Sequence, residues 1–152
     1  MKKKDLTLLF LCCVGIFAAL LYRYYKDSEK ETVYIALAGP MSGFAQEEGR
    51  AMLRGARLAY EQVKREGVLL KNKNVEIIPY NDKNRLTAVN IASDIVHEDK
   101  VLLVLGHYSS SGSAAAGPVY KSNGIPAITA SAAVENVVMD NEWFFRTIPG
   151  DY

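Results

Sequence analysis

The chain has 152 residues, 49% of them hydrophobic and 23% charged, which is the balance of one ordinary globular domain. Its 18 basic and 17 acidic residues give a net charge of +1, which excludes the strongly basic surface that nucleic-acid binding requires. The two cysteines, Cys12 and Cys13, are adjacent within an apolar run, so they lack the spacing of a metal site. We expect neither a metal nor a cofactor.

The N-terminal segment has the pattern of a membrane-targeting sequence. Residues 1–5 carry three lysines, and the 17 residues that follow, 6–22, are all uncharged. A helix of that length spans roughly 25 Å, close to the hydrocarbon core of a bilayer. We predict a cytoplasmic basic region at 1–5, a transmembrane signal anchor at 6–25 and a charged tether at 26–31. A cleaved signal peptide is the alternative, and both interpretations export residues 32–152.

The exported part alternates predicted strands and helices. The predicted strands are residues 33–39, 74–80, 101–106, 125–130 and 143–147. The predicted helices are residues 46–66, about 85–98 and 111–122. This order predicts an α/β fold, an open parallel sheet with helices on both faces. The strand at 101–106 has no polar residue, so we expect both of its faces to be covered.

In an open parallel sheet, ligands bind beyond the carboxyl ends of the strands. Three polar or glycine-rich loops follow predicted strands: GPMSGFAQE (39–47), GHYSSSGS (106–113) and ASAA (130–133). We expect all three loops to emerge at one edge of the sheet. The second loop is unusual because it holds four serines within five positions.

Four roles are open to these serines, Ser109, Ser110, Ser111 and Ser113. A helix N-cap accounts for one of them, at the start of the helix near residue 111. A nucleophile is disfavoured because G-x-S-x-G is absent and His107 points away from its neighbours on a strand end. Phosphate binding lacks its glycine-rich motifs. The fourth role is binding of a carboxylate by serine hydroxyls and free N–H groups at the start of a helix. It accounts for all four serines together.

Three stretches resemble one known family. They are IALAGPMSGFAQEEGRAMLRGARLAYEQV, LGHYSSSGSAAAGPVYKSNGIPAITASAA and FFRTIPGD. Each resembles a segment of the branched-chain amino-acid binding proteins of bacterial ABC transporters, which are type I periplasmic binding proteins. The resemblance covers about residues 33–151. It implies two α/β lobes joined by a hinge, with an amino acid held between them and no enzymatic reaction.

The resemblance also implies a set of ligand-binding residues. They are Tyr108, Ser109, Ser110, Ser131, Ala132, Ala133 and Glu47. The resemblance implies that Ser110 binds the ligand carboxylate through its hydroxyl and N–H, and that positions 131–133 add a backbone cradle. Ala133 stands where the family often has a threonine that helps hold the ammonium group. Glu47 lies where relatives place a pocket-edge side chain, although it also suits the first turn of a helix as an exposed acid.

The chain ends at Tyr152, where the family crosses to its second lobe. We therefore expect residues 32–152 to form a first lobe, truncated at the hinge, that binds its small-molecule ligand weakly. The expected partners are the membrane, through the N-terminal helix, and an ABC permease. A sensor domain of a membrane signalling receptor, with the same fold, is the alternative function. A hydrolase that uses the serine cluster is a third hypothesis.

Overall fold

The chain divides into two units, residues 1–31 and 32–152. The computed structural model describes residues 3–28, 31–67 and 73–151. The first unit contains helix α1, Lys3–Ser28, which confirms a helix over the predicted segment 6–25. Within the described ranges no helix is both long and apolar enough to cross a membrane. The transmembrane anchor stays a prediction.

Parts of the predicted N-terminal organisation lie outside the described residues. Of the tether predicted at 26–31, the first three residues belong to α1 and Glu31 begins the first strand, while residues 29 and 30 are outside. Residues 1 and 2 of the predicted basic region, and the last residue of the chain, are also outside.

The second unit alternates strands and helices in the predicted order. From Glu31, the last residue of the first unit, onward the elements are β1 Glu31–Gly39, α2 Gln46–Glu66, β2 Lys73–Asn81, α3 Arg85–His97, β3 Val101–Gly106, α4 Ser110–Asn123, β4 Ala127–Thr129 and β5 Phe144–Arg146. A single 3-10 turn, Glu135–Val137, lies between β4 and β5. Helix α2 ends on Gly67 and α4 on Gly124, both in the left-handed conformation that glycine adopts without steric cost.

The five strands form one sheet in the order β2-β1-β3-β4-β5. The pairs β1–β3, β3–β4 and β4–β5 are all parallel. The connection through α2 moves outward to β2, whereas the connection through α3 returns past β1 to β3. Because such crossovers are right-handed, α2 covers one face of the sheet, and α3 and α4 cover the other. This arrangement confirms the predicted fold class of a parallel α/β sheet with flanking helices.

The hydrophobic core lies on the face covered by α3 and α4. Alanines on both the strands and the helices let the two layers approach closely, and Val104, Ile95 and Tyr120 add bulk. The fully buried members of the core include Ala36, Ala38, Val104, Ala127, Ala88, Ala92, Ile95, Ala116 and Tyr120. Phe144 of β5 closes this core at one edge, where its ring packs against the ring of Tyr120.

The prediction that β3 is covered on both faces is wrong for part of the strand. The register with β1 shifts so that Tyr34 pairs with Val101 and the next residue pairs with Leu103. Leu102 is left over at this irregularity, and its side chain is 61% exposed. An extra residue in one strand is unpaired and re-aims its side chain, which is why an entirely apolar run still exposes a leucine.

Candidate functional site

The candidate site lies at the carboxyl edge of the sheet, where three loops begin at neighbouring positions. Ala38, next to the end of β1, pairs with Gly106 at the end of β3. Leu105 of β3 pairs with Ile128 near the end of β4. Because these strands are parallel, the loops that follow them leave the sheet on the same side. The predicted convergence of the three loops at one edge is confirmed.

The serine cluster forms the first turn of α4. Ser109 is the N-cap, and its Oγ accepts a hydrogen bond from the Gly112 N–H at 3.1 Å. The helix therefore begins at Ser110, one residue earlier than predicted, and the capping serine is Ser109. The first N–H groups of a helix have no partner within the helix, so this end attracts an anion.

Ser110 and Ser113 differ in how their hydroxyls are used. Ser113 is fully buried, and its Oγ donates to the His107 carbonyl oxygen at 3.1 Å. Ser110 is half-buried, and its Oγ accepts a long hydrogen bond of 3.4 Å from the Val134 N–H. The hydroxyl proton of Ser110 therefore stays available to donate to a ligand. Ser113 is a structural residue, and Ser110 is the serine suited to binding.

The loop after β4 is tied to the loop after β3. The Ser131 hydroxyl donates to the Tyr108 carbonyl oxygen at 2.7 Å. Buried Thr129 accepts hydrogen bonds from the N–H groups of Ser131, at 3.3 Å, and Ala132, at 3.1 Å. Ala132 is fully buried, so its methyl group cannot touch a ligand and only its backbone could contribute. The structure thus brings positions 108 and 131 into direct contact, as a shared site requires.

The carbonyl of Ala133 is already in use. Arg146, at the end of β5, donates to it from Nη1 at 2.6 Å, and the Asp151 N–H donates to it at 3.0 Å. The same guanidinium reaches the Val134 carbonyl at 3.3 Å. The sequence alone does not single out Arg146, although FFRTIPGD contains it. Its charge holds the end of the 130–133 loop in place.

Glu47 lies apart from these contacts, in the first turn of α2. Its side chain is 73% exposed and pairs with Arg50 at 3.2 Å. The loop before it is held by Asn81, whose Oδ1 accepts from the N–H groups of Met41, at 2.8 Å, and Ser42, at 3.1 Å. The same loop presents Phe44, whose side chain is completely exposed. These contacts fix the loop near its start and leave an aromatic ring free at the carboxyl edge.

Beneath the serine cluster lies a buried polar network that the sequence did not reveal. His107 is fully buried; its Nδ1 lies 2.8 Å from Asp82 Oδ2, and its Nε2 lies 2.8 Å from the Tyr120 hydroxyl. Gly112 makes room for it, because a Cβ there would lie 3.1 Å from Asp82 Oδ2. The network joins the end of β2, the start of the β3 loop and the middle of α4.

The protons of this network can be placed consistently. Burial, with the nearby Asp82 carboxylate, raises the pKa of the Tyr120 phenol well above its usual value, so the phenol keeps its proton and can donate to Nε2 of His107. Nδ1–H then donates to Asp82. Both ring nitrogens are occupied, and the ring has no access to solvent. His107 therefore supports the backbone, and no side chain in the network is placed to act on a substrate.

The comparison with known families agrees with this architecture. The family model described as periplasmic binding protein matches residues 32–152, the whole second unit. The chain belongs to the periplasmic binding protein family. This membership indicates an extracytoplasmic domain, and it confirms the resemblance seen in the sequence.

Named relatives of this periplasmic binding protein are amino-acid binding proteins. One is a leucine-, isoleucine-, valine-, threonine- and alanine-binding protein of Pseudomonas aeruginosa, 33% identical over 120 residues. These are 78% of this chain and 32% of that protein. Another is the Leu/Ile/Val-binding protein of Escherichia coli K12, 32% identical over 67% of this chain and 28% of that protein. These names describe binding proteins rather than enzymes or signalling receptors.

Solved structures show the same fold. A leucine-binding protein, LivK, from Thermotoga maritima has a TM-score of 0.70 at 26% identity, over 78% of this chain and 33% of that one. A branched-chain amino-acid substrate-binding protein, LivJ, from Streptococcus pneumoniae, solved with isoleucine, has a TM-score of 0.71 at 24% identity, over 79% and 34%. The chain spans about a third of the length of the relatives it matches, and the matched part is their N-terminal lobe.

Proposed function

We propose that residues 32–152 bind an amino acid or a related small carboxylate for ABC-type transport, with no chemical step. The observation that carries the proposal is the start of α4. There a helix N-terminus presents the Ser110 hydroxyl and unpaired N–H groups. The 131–133 loop lies beside it, because the Ser131 hydroxyl donates a hydrogen bond to the carbonyl of Tyr108. Such an end favours an anionic group without a dedicated cation. The amino-acid binding proteins among the relatives support an α-amino acid as the ligand class.

The predicted site residues take different parts in this proposal. Ser110 binds the carboxylate through its hydroxyl and N–H, while Ser109 shapes the turn and Tyr108 flanks it. Positions 131–133 form the opposite wall through their backbone, since Ala132 is buried and the Ala133 carbonyl already has two donors. The Ser131 hydroxyl holds the two walls together. Glu47 is left at the rim, where its carboxylate is exposed.

One lobe can contact only one side of its ligand, so we expect weak binding by this chain alone. The family resemblance implies a second lobe that closes over the ligand and a permease that receives it. Both are part of the proposal for the whole protein, because the chain spans only a third of its relatives' length.

We propose further that α1 tethers the domain to the membrane, with a cleaved signal peptide as the alternative. Support comes from the lysines before the run at 6–22, and from the exposed apolar residues along α1, such as Phe17 and Leu20. Extraction of cell membranes with alkaline carbonate tests this. An anchored chain stays in the membrane pellet, whereas recovery of the soluble domain without its first residues shows cleavage.

Substitution of Ser110 tests the binding site. We expect Ser110→Ala to weaken the binding of L-leucine by about 1 to 3 kcal/mol, since a hydroxyl that pairs with a charged group is lost. The measurement is an NMR titration of the full chain in detergent micelles. Ser111→Ala is the matched control, because Ser111 lies in the same helical turn with an exposed side chain. Equal affinity in the Ser110→Ala variant and the wild type would refute the assignment.

A further inference from the structure

The two loops of the site meet at one buried hydroxyl, that of Thr129. Thr129 is the last residue of β4 and is fully buried. Its Oγ1 donates to the His107 carbonyl oxygen at 3.0 Å. The same oxygen accepts the N–H groups of Ser131 and Ala132. A hydroxyl can donate one hydrogen bond and accept two, so this hydroxyl makes all the hydrogen bonds that it can.

This hydroxyl connects two segments that are far apart in the chain. On one side His107 is the residue that leads into the serine turn, and its carbonyl also accepts the hydroxyl of Ser113. On the other side the bonded amides belong to the 131–133 loop. His107 is itself fixed through its ring by Asp82 and Tyr120. The 131–133 loop is therefore attached, through Thr129, to a residue that the end of β2 and helix α4 also hold.

We propose that Thr129 is a positioning residue of the ligand site, whose hydroxyl sets the spacing between the Ser110 turn and the 131–133 loop. The residue does not touch the ligand, because it is buried beneath both loops. The inference deepens the proposed function and rests on it for its effect on binding. Without the hydroxyl, the buried N–H of Ala132 and the part-buried N–H of Ser131 lose their acceptor, and the loop must move to satisfy the buried one.

Two substitutions separate the hydroxyl from the bulk of the side chain. Thr129→Val keeps the shape and removes the hydroxyl, whereas Thr129→Ser keeps the hydroxyl and removes a methyl group. We expect Thr129→Val to weaken L-leucine binding by about tenfold. The Thr129→Ser variant should bind within about twofold of the wild type, even though deletion of a buried methyl lowers its melting temperature. Ile95→Val, a core substitution on α3, is the control for stability loss alone.

The experiment is a set of amide NMR spectra of the full chain in detergent micelles, with and without L-leucine. Before ligand is added, Thr129→Val should shift the amide signals of residues 108–112 on the opposite loop, and Thr129→Ser should leave them near wild-type values. Shifts confined to residues 128–133 would overturn the inference, and this test does not depend on whether the protein binds leucine. Absence of leucine binding by the wild type would contradict the proposed function instead. Equal leucine affinity in the Val and Ser variants, or an equal loss in Ile95→Val, would also overturn it.

Discussion

At the scale of single residues, the arrangement of His107 shows how a site can be built on groups that never meet the ligand. Its ring joins Asp82 and Tyr120, and its carbonyl accepts the hydroxyls of Ser113 and Thr129. All of these groups are buried, where an unsatisfied polar atom is costly. The second carboxylate oxygen of Asp82 is buried with no partner among the described residues.

Removal of one hydroxyl tests the network. We expect Tyr120→Phe to lower the free energy of unfolding by about 1 to 3 kcal/mol, since Nε2 of His107 is left buried and unpaired. Urea unfolding of the full chain in micelles provides the measurement. Tyr60→Phe on α2 is the control, because Tyr60 is only half-buried and outside the network; its effect should stay within about 0.5 kcal/mol. Equal effects of the two substitutions would contradict the network.

The same variant should show a distinctive dependence on pH. Burial is the main cause, and the charge of Asp82 the second, that raises the pKa of the Tyr120 phenol in the folded state. The folded protein therefore retains a phenol proton that the unfolded chain releases above pH 10. Stability from this group is complete below pH 10 and falls by about 1.4 kcal/mol per pH unit above it. The Phe variant lacks this loss. Its deficit relative to the wild type should shrink between pH 10 and pH 11, and a constant deficit would contradict the expectation.

Only part of the residue-scale picture could be predicted from the sequence. The serine turn is predictable because helix capping and anion binding both depend on local order, and the structure places Ser109 and Ser110 in that turn. The network around His107 is not, because its partners Asp82 and Tyr120 are 25 and 13 residues away. No local pattern reports contacts at those separations. Thr129 carries no signal at all in the sequence, since a threonine suits any strand.

At the scale of elements, α2 contains two glycines with opposite effects on stability. Gly49 lies in the first turn, where a Cβ would collide with the Pro40 carbonyl. Gly55 lies mid-helix, and a Cβ there would have nothing within 4 Å. Glycine at the first position permits close approach of the β1–α2 loop, whereas at the second it only lowers helix stability.

Alanine at these two positions should therefore act in opposite directions. We expect Gly49→Ala to destabilise the domain by about 1 to 3 kcal/mol through crowding. Gly55→Ala should stabilise it by about 0.5 to 1 kcal/mol, because alanine has the higher helix propensity. Thermal unfolding followed by circular dichroism compares the two with the wild type. A stabilised Gly49→Ala variant would show that the tight contact with Pro40 is absent.

Most element boundaries could be predicted because periodicity and glycine caps are local signals. Helix α2 and strand β3 have the predicted bounds, and α3 ends one residue early. Strands β4 and β5 are three residues each, shorter than predicted, since apolar residues in loops cannot be told from strand residues by pattern alone. The exposure of Leu102 could not be predicted, because it arises from a shift in pairing with β1.

At the scale of the whole molecule, the domain corresponds to about a third of its relatives. Its exposed apolar residues on the sheet include Phe145 of β5, which is 51% exposed although its neighbour Phe144 is buried in the core. Successive strand residues face opposite sides of the sheet, so Phe145 lies on the face opposite α4. Among the elements of residues 32–152 that the structure describes, α2 packs on β2, at the opposite edge of the sheet from β5.

The central claim is that a ligand carboxylate binds at the start of α4. The most direct measurement is an NMR titration of the wild-type full chain, in detergent micelles, with L-leucine and with L-leucinamide, which differs in lacking the carboxylate. We expect L-leucine to produce saturable shifts at the amides of residues 110–112 and 131–133, and L-leucinamide to produce none there. Equal shifts with both compounds, or no saturable shift at these amides with L-leucine, would contradict the claim.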